Sequence, residues 1–237
     1  MRRTMLSALL CVGLVGNAAA QPDLSGFWTP KFGNNDAERE LFDKIPADAV
    51  FIDDAGGAEL AEGDFGGLKL SERALEEVRN YDFAAEFKRE NTCVAPSLAY
   101  YMQAPFPIEI HQADKLIAMK IEYFDLYRLI FLDGREIPAE APLSKSGYSV
   151  GHWEGDELVV RTERIAAATF LNNGFNHSDN IKITERFRLS EDGQTLSLVQ
   201  IYEDPETFSG LAARHMAWSK REGEFVYPYE CDPSFGE

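Results

Sequence analysis

Histidine, clustered basic charge and cofactor motifs are all scarce in this chain of 237 residues, and each scarcity narrows what it can be. The four histidines, His111, His152, His177 and His215, lack the close i, i+2 or i, i+4 pairing of a typical metal site. No cluster of lysine or arginine interrupts a formal net charge of −17, so phosphate backbones and anionic membrane surfaces are repelled. There is no glycine-rich phosphate loop, no dinucleotide fingerprint and no flavin or haem attachment sequence. Nor is there a Pro/Ser-rich linker or a fixed-period repeat. These absences predict one domain, no nucleic-acid partner, and no metal or other cofactor.

Long apolar runs are missing too, except at the start. Arg2 and Arg3 precede an apolar stretch from Met5 to Val15, and Ala18-Ala19-Ala20 supplies the small side chains of a signal-peptidase site. The pattern predicts a leader cleaved near Ala20-Gln21 and a periplasmic or secreted mature protein. About a dozen apolar residues fall short of the ~20 that span a bilayer, so no membrane insertion is expected. Cleavage would remove Cys11 and leave Cys93 and Cys231, which an oxidising compartment favours as a disulfide.

Residues 21–105 read as a mixed segment packed on the remainder of the chain. Ala37, Leu41, Phe42 and Ile45 share one helical face, and Ser71 can cap a second helix that carries Leu75, Val78, Phe83, Ala84 and Phe87. Between them, Asp53 to Gly67 is acidic and glycine-rich and reads as a mobile surface flap. Over residues 106–237 the period changes to two. Ala113-Asp114, Asp133-Gly134, Glu154-Gly155-Asp156, Asp192-Gly193 and Glu222-Gly223 separate runs rich in Ile, Val, Leu, Phe and Tyr. Eight or nine antiparallel strands hide their edges by curling, which predicts a mainly β fold: an up-and-down barrel or half-barrel with short N-terminal helices. Gly26-Phe27-Trp28 resembles the Gly-x-Trp first strand of lipocalins.

The run Trp153-Glu154-Gly155-Asp156-Glu157-Leu158-Val159-Val160, with His177-Ser178-Asp179 and Thr184-Glu185-Arg186-Phe187 further on, resembles a family of exported bacterial proteins of unknown function. Phe131-Leu132-Asp133-Gly134-Arg135 and Glu203-Asp204-Pro205 fit the same pattern. The family pattern often has His at Tyr148 and Arg at His152, where this chain departs. The resemblance implies export and a shared fold, and brings no activity with it.

Several residues are candidates for chemistry. His177 comes after a loop from Ala166 to Asn176 that carries Phe170, Leu171 and Phe175, as a lid over an apolar pocket would. Asp179, two residues on, points the same way in an extended backbone and can orient the imidazole as a general acid or base. Alternatively, Asn176, Ser178 and Asp179 are turn formers and His177 is a solvated loop residue. Glu185 alternates with Ile181, Ile183, Phe187 and Leu189, and Arg128 with Leu126, Ile130 and Leu132, so both face inward and can pair. They are read either as a structural ion pair or as part of a catalytic site. Tyr123 and Tyr202 continue rows of inward-facing residues and can donate to a ligand oxygen or simply pack. His111, Tyr148, His152 and Phe170 complete the candidate ligand contacts. Ser149, in Gly147-Tyr148-Ser149-Val150-Gly151, matches a hydrolase nucleophile motif but lacks the helix that should come next.

The expected function is uptake of a small hydrophobic or aromatic molecule in an apolar cavity, with cofactor-free acid–base chemistry of the isomerase or lyase type. A non-catalytic carrier, a structural or partner-binding envelope protein and a serine hydrolase are the alternatives.

Overall fold

The computed structural model describes residues 21–32, 39–54 and 59–236. The expected leader, Cys11 within it, and Ala37 of the first helix lie outside these residues. The strands are β1 (Gly26–Lys31), β2 (Val50–Phe51), β3 (Lys69–Leu70), β4 (Ile108–Ala113), β5 (Leu116–Ile121), β6 (Leu126–Phe131) and β7 (Tyr148–Glu154), then β8 (Glu157–Glu163), β9 (Ala168–Leu171), β10 (Phe175–His177), β11 (Lys182–Leu189), β12 (Thr195–Glu203), β13 (Phe208–Ser209) and β14 (Ala212–Arg221). The helices are α1 (Arg39–Phe42), α2 (Glu72–Arg79), α3 (Phe83–Glu86) and α4 (Leu98–Tyr101).

Nine strands, β1, β4, β5, β6, β7, β8, β11, β12 and β14, pair in that order, and β1 also pairs with β14 to close the sheet into a barrel. The closed form of the expected fold is the one adopted. Closure comes from alternation: on β5, Ile117, Met119 and Ile121 point inward, and on β11, Ile183, Glu185 and Phe187 do. A nine-stranded barrel is narrow enough for side chains to fill. Trp28 and Trp218 are fully buried in it, the former donating its indole N–H to the Leu24 carbonyl at 3.0 Å.

One pairing departs from the up-and-down pattern. Asp133-Gly134, read as a hairpin turn, instead ends β6, and the chain runs back the length of the barrel before β7 pairs parallel to β6, with Ile130 opposite Ser149. Glu222-Gly223 likewise turns the chain out of β14 into a segment with no further strand among the described residues. The second expected helix is broken into two. Ser71 caps α2 as anticipated, accepting from the Ala74 N–H, but Asn80 ends it and Asp82 caps a separate α3.

The registers place the ends of β1, β5, β8 and β12 and the starts of β4, β6, β7, β11 and β14 at one end of the barrel. Three long insertions leave from that end, residues 32–107 with all four helices, residues 164–181 with the β9–β10 hairpin, and residues 204–211, while residues 132–147 cross to it from the opposite end. The opposite end has tight turns such as Asp114-Lys115 and Gly155-Asp156. Two small pairings fasten the insertions down, β2 parallel to β14 and β3 antiparallel to β13. A disulfide joins Cys93 to Cys231, with Cα atoms 5.9 Å apart, and ties the C-terminal segment to the same cap.

Candidate functional site

The cap encloses a cleft of about 820 Å³. One wall comes from α2 and α3 through Arg73, Glu77, Tyr81, Glu86 and Phe87. Another comes from Tyr100 of α4, and a third from Asn172, Asn176 and His177 of the β9–β10 hairpin. Tyr123, Phe124 and Lys145 close it from the barrel rim. Phe235 and Gly236 reach it from the C-terminal segment, held there by the disulfide. Gly174 makes the hairpin wall possible. Its φ of +91° suits glycine, and a Cβ there would lie 2.7 Å from the Tyr81 ring.

His177 is 1% exposed and lines this cleft, where the sequence pattern places it. Its partners are not the expected ones. Nδ1 lies 2.7 Å from the Ser178 carbonyl, which can only accept, so the proton of the neutral ring is on Nδ1. Nε2 then accepts from the Ser97 hydroxyl at 2.6 Å. Ser97 is the N-cap residue of α4, yet its hydroxyl makes no capping bond and serves the imidazole instead. Burial pushes the His177 pKa below its ordinary value, against the Ser178 hydrogen bond and the Asp204 charge, while Lys145 and Arg214 push the same way as burial.

Asp179 is not the orienting partner. It is exposed in the turn after β10. The carboxylate behind His177 is Asp204, wholly buried, which accepts from the Ser178 N–H, the Ser178 hydroxyl and the Thr207 hydroxyl, each at 2.7 Å. The loop expected as a lid is the β9–β10 hairpin itself, and Phe170, Leu171 and Phe175 are buried beneath it. Phe170 therefore packs in the core and does not face the cleft.

Glu185 and Arg128 face inward and pair, as anticipated, but far from solvent. Arg128 donates to Glu185 Oε1 at 3.0 Å and also to Oε2, and further to Ser149 at 3.1 Å and Thr162 at 3.0 Å. Gln200 Nε2 adds a bond to Glu185 at 2.9 Å, and the Tyr202 hydroxyl donates to Gln200 at 2.5 Å. These residues sit on β6, β7, β8, β11 and β12, so the network is a polar belt across five adjacent strands. None of them lines the cleft. Arg128 and Tyr202 are thus removed from the ligand contacts and Glu185 from the catalytic set. Ser149 belongs to this belt, in the middle of a strand. The glycine that opens its motif, Gly147 (φ +65°), is required because a Cβ would lie 2.7 Å from the Glu163 carbonyl oxygen. No nucleophile elbow exists there.

Three more candidates lie on the outer surface. His111 and His152 are exposed beside Glu109 and Glu154, and Tyr148 packs against Phe131 and accepts from Arg135. An alternation of two tells inside from outside poorly where a strand ends or bears a polar face. Tyr123 shows the converse. It leaves β5 for a short 3₁₀ turn and lines the cleft, stacked on Phe106 at 4.5 Å, with burial first and then Tyr229, Glu59 and Glu86 pushing its pKa up to about 12.

Lys145 and Ser97 carry no periodic signal, although Ser97 before Leu98-Ala99-Tyr100-Tyr101 is a readable helix start. Lys145 is half-buried in the cleft. Its pKa is lowered by burial, and its ammonium has no carboxylate partner among the described residues. The acidic segment after Asp53 is anchored at its start. Asp54 is buried and receives both Nε and Nη2 of Arg214 at 2.8 Å, while Arg214 also donates to the carbonyls of Ala99 and Phe170 and lies over the Phe170 ring. That clamp fixes α4 and β9 in place. Residues 55–58 of the expected flap lie outside the described residues.

The motif runs singled out in the sequence map onto structure in two places. The Trp153–Val160 run is the β7–β8 hairpin, held by Arg186 to Glu154 and Glu157 at 2.9 Å each. His177-Ser178 and Asp204 meet through the Ser178–Asp204 bonds just described. Comparison with family models and with curated proteins finds no match to this chain.

Proposed function

We propose that this is an exported protein whose cleft takes up a small hydrophobic or aromatic molecule and moves a proton on it, in the manner of an isomerase or lyase. The observation that carries the reading is the pairing of aromatic walls with a buried imidazole, His177, whose pKa burial lowers, and a half-buried ammonium, Lys145. A neutral imidazole near pH 7 accepts a proton. An ammonium without a carboxylate partner draws in a carbonyl or phenolate oxygen and stabilises the negative charge that develops on it. The disulfide is compatible with export. No helix among the described residues is long and apolar enough to cross a membrane. The W-E-G-D and T-E-R-F motifs support membership of the exported family.

A second reading, binding without turnover, is favoured by one contact set. With Nδ1 on the Ser178 carbonyl and Nε2 on Ser97, the imidazole reaches a ligand proton only by exchanging Ser97 for the ligand. The two readings separate experimentally. Native mass spectrometry of the protein purified from the periplasm identifies the co-purifying compound, which is then incubated with the wild type, Lys145→Met and Ser97→Ala. Turnover lost in both variants, with thermal stability retained, supports the enzyme. Affinity lost in Lys145→Met without turnover in any form supports the carrier. Equal affinity in the wild type and Lys145→Met would sink both.

A further inference from the structure

Lys145 is rooted between two pieces of the cap. Its carbonyl accepts from the Leu98 N–H at 2.8 Å, while the Ser144 N–H donates to the Arg164 carbonyl at 3.1 Å and the Ser144 carbonyl accepts from the Ala166 N–H at 2.8 Å. Leu98 follows Ser97, the partner of His177, so the lysine root and the imidazole are fixed to adjacent residues at the start of α4. We infer that Lys145 is a point of covalent attachment in the cleft, forming an imine with the carbonyl carbon of an aldehyde or ketone on a hydrophobic or aromatic body. The inference rests on the cleft being a ligand site and adds the ligand's chemical class and a covalent step.

The surroundings suit a nucleophile better than a charge that merely holds an anion. Lys145 lines the cleft together with Glu59, Glu77, Asp82 and Glu86, yet its nitrogen has no ion-pair or hydrogen-bond partner among the described residues. Arg73, on the same wall, is by contrast taken by Glu77 at 3.0 Å and Glu206 at 3.2 Å. The cleft carboxylates repel an anionic ligand and leave a neutral carbonyl compound unaffected. Pro96, Ala167 and Ala168, close in sequence to the residues that root Lys145, line the cleft with apolar surface that solvates an ammonium poorly. Burial accordingly lowers the Lys145 pKa, which enlarges the share of free amine that imine formation needs.

The step balances with water and solvent protons alone. The amine lone pair forms an N–C bond, the carbonyl π pair moves to oxygen, and a proton moves through water from nitrogen to that oxygen. The resulting hydroxyl takes a second proton from solvent and leaves as water, while the nitrogen lone pair closes the C=N bond. Amine, carbonyl and one proton thus become a protonated imine and water. That imine draws electrons from the neighbouring C–H bond, and the proton passes to His177 Nε2 once Ser97 turns away. The enamine so formed takes a proton back at a different carbon or expels a β substituent, which are the outcomes an isomerase and a lyase require.

Reductive trapping on the purified protein tests this. Incubation with 4-hydroxybenzaldehyde and sodium cyanoborohydride, followed by peptide mapping, should mark Lys145 at least about tenfold faster than exposed lysines such as Lys44, Lys69 and Lys115. Excess 4-hydroxybenzyl alcohol, which has the same body and no carbonyl, should slow that labelling by occupying the cleft. Lys145→Arg keeps the charge and should lose the adduct. Labelling spread evenly over the exposed lysines, with the alcohol still binding in isothermal titration, would overturn the imine and leave the cleft standing. A Lys145 adduct whose rate the bound alcohol does not change would do the same, because the lysine would then react outside the ligand site. If neither compound binds or reacts, the cleft reading falls and takes this inference with it.

Discussion

Replacing Glu185 by Gln should be the most damaging near-isosteric change in the barrel. Glu185 and Arg128 are 0% and 1% exposed, so no water reaches the guanidinium once the carboxylate is gone. The substitution keeps the shape and removes the charge. It also turns one acceptor toward Arg128 into an NH₂ that faces another donor. Breaking one side of a buried ion pair costs about 3–5 kcal/mol, mainly through the uncompensated charge left behind. Total stability of a domain this size is of the order of 5–15 kcal/mol, so the loss is a large share. In urea denaturation monitored by fluorescence of the buried Trp28 and Trp218, an m-value of about 2 kcal/mol/M converts that loss into a midpoint drop of roughly 1.5–2.5 M.

The double variant Arg128→Met/Glu185→Leu separates charge from packing. Ser149 and Thr162 keep each other at 2.8 Å and Gln200 keeps the Tyr202 hydroxyl, so the belt loses its ions and, among its neutral members, only the bond from Gln200 Nε2 to Glu185. It should be less destabilised than Glu185→Gln alone, within about 2 kcal/mol of the wild type. A Glu185→Gln protein within about 1 kcal/mol of the wild type would falsify the argument and return Glu185 to the catalytic candidates.

The cap supplies two further outcomes. Reducing Cys93–Cys231, which closes a loop of sequence separation 138, removes a constraint worth about 5 kcal/mol in the chain-entropy model, so a reductant should lower the urea midpoint, and an unchanged midpoint would refute that role. His177 supplies a pH dependence with a definite sign. Its pKa is lower in the folded chain than the ~6.5 of an unfolded histidine, so stability is complete above about pH 6.5 and declines as pH falls toward the folded pKa, because the unfolded chain takes up the proton first. Denaturation of the wild type and His177→Gln at pH 7.5 and 5.5 reads this directly, and equal acid sensitivity of the two would show that the imidazole is not desolvated.

The barrel is legible in the sequence because its signal is local. Each strand carries its own alternation and each far-end hairpin its own turn residues, so Arg128 and Glu185 can be paired from two strands whose inner faces are evident. The cap is not legible, for a physical reason. Its contacts join residues far apart in sequence, such as Ser97 with His177, Asp54 with Arg214 and Cys93 with Cys231, and only the last pair has a chemical reason to be matched without coordinates. Nearness in sequence favours Asp179 over Asp204 as the partner of the histidine. The turn after β10 points Asp179 outward, and β12 brings Asp204 in behind the ring instead.

The interior of the barrel also explains why the site lies where it does. A small barrel either holds a ligand or is filled by its own side chains. Here Trp28, Trp218, Phe187, Tyr202 and the Arg128–Glu185 belt fill it, and that belt, being fully paired, offers nothing to a ligand. In the proposed function, recognition falls to the cap at one end, and the barrel's part is to hold the roots of the cap at fixed spacing. The Arg214–Asp54 clamp shows how that spacing is transmitted. Arg214 is a barrel residue on β14, and its donor contacts reach Asp54, Ala99 and Phe170, which lie in separate stretches of the cap. The cleft residues of the proposed function, Tyr123, Lys145 and His177, are thus separate from the belt that fills the barrel, and substituting one set leaves the other set's contacts in place.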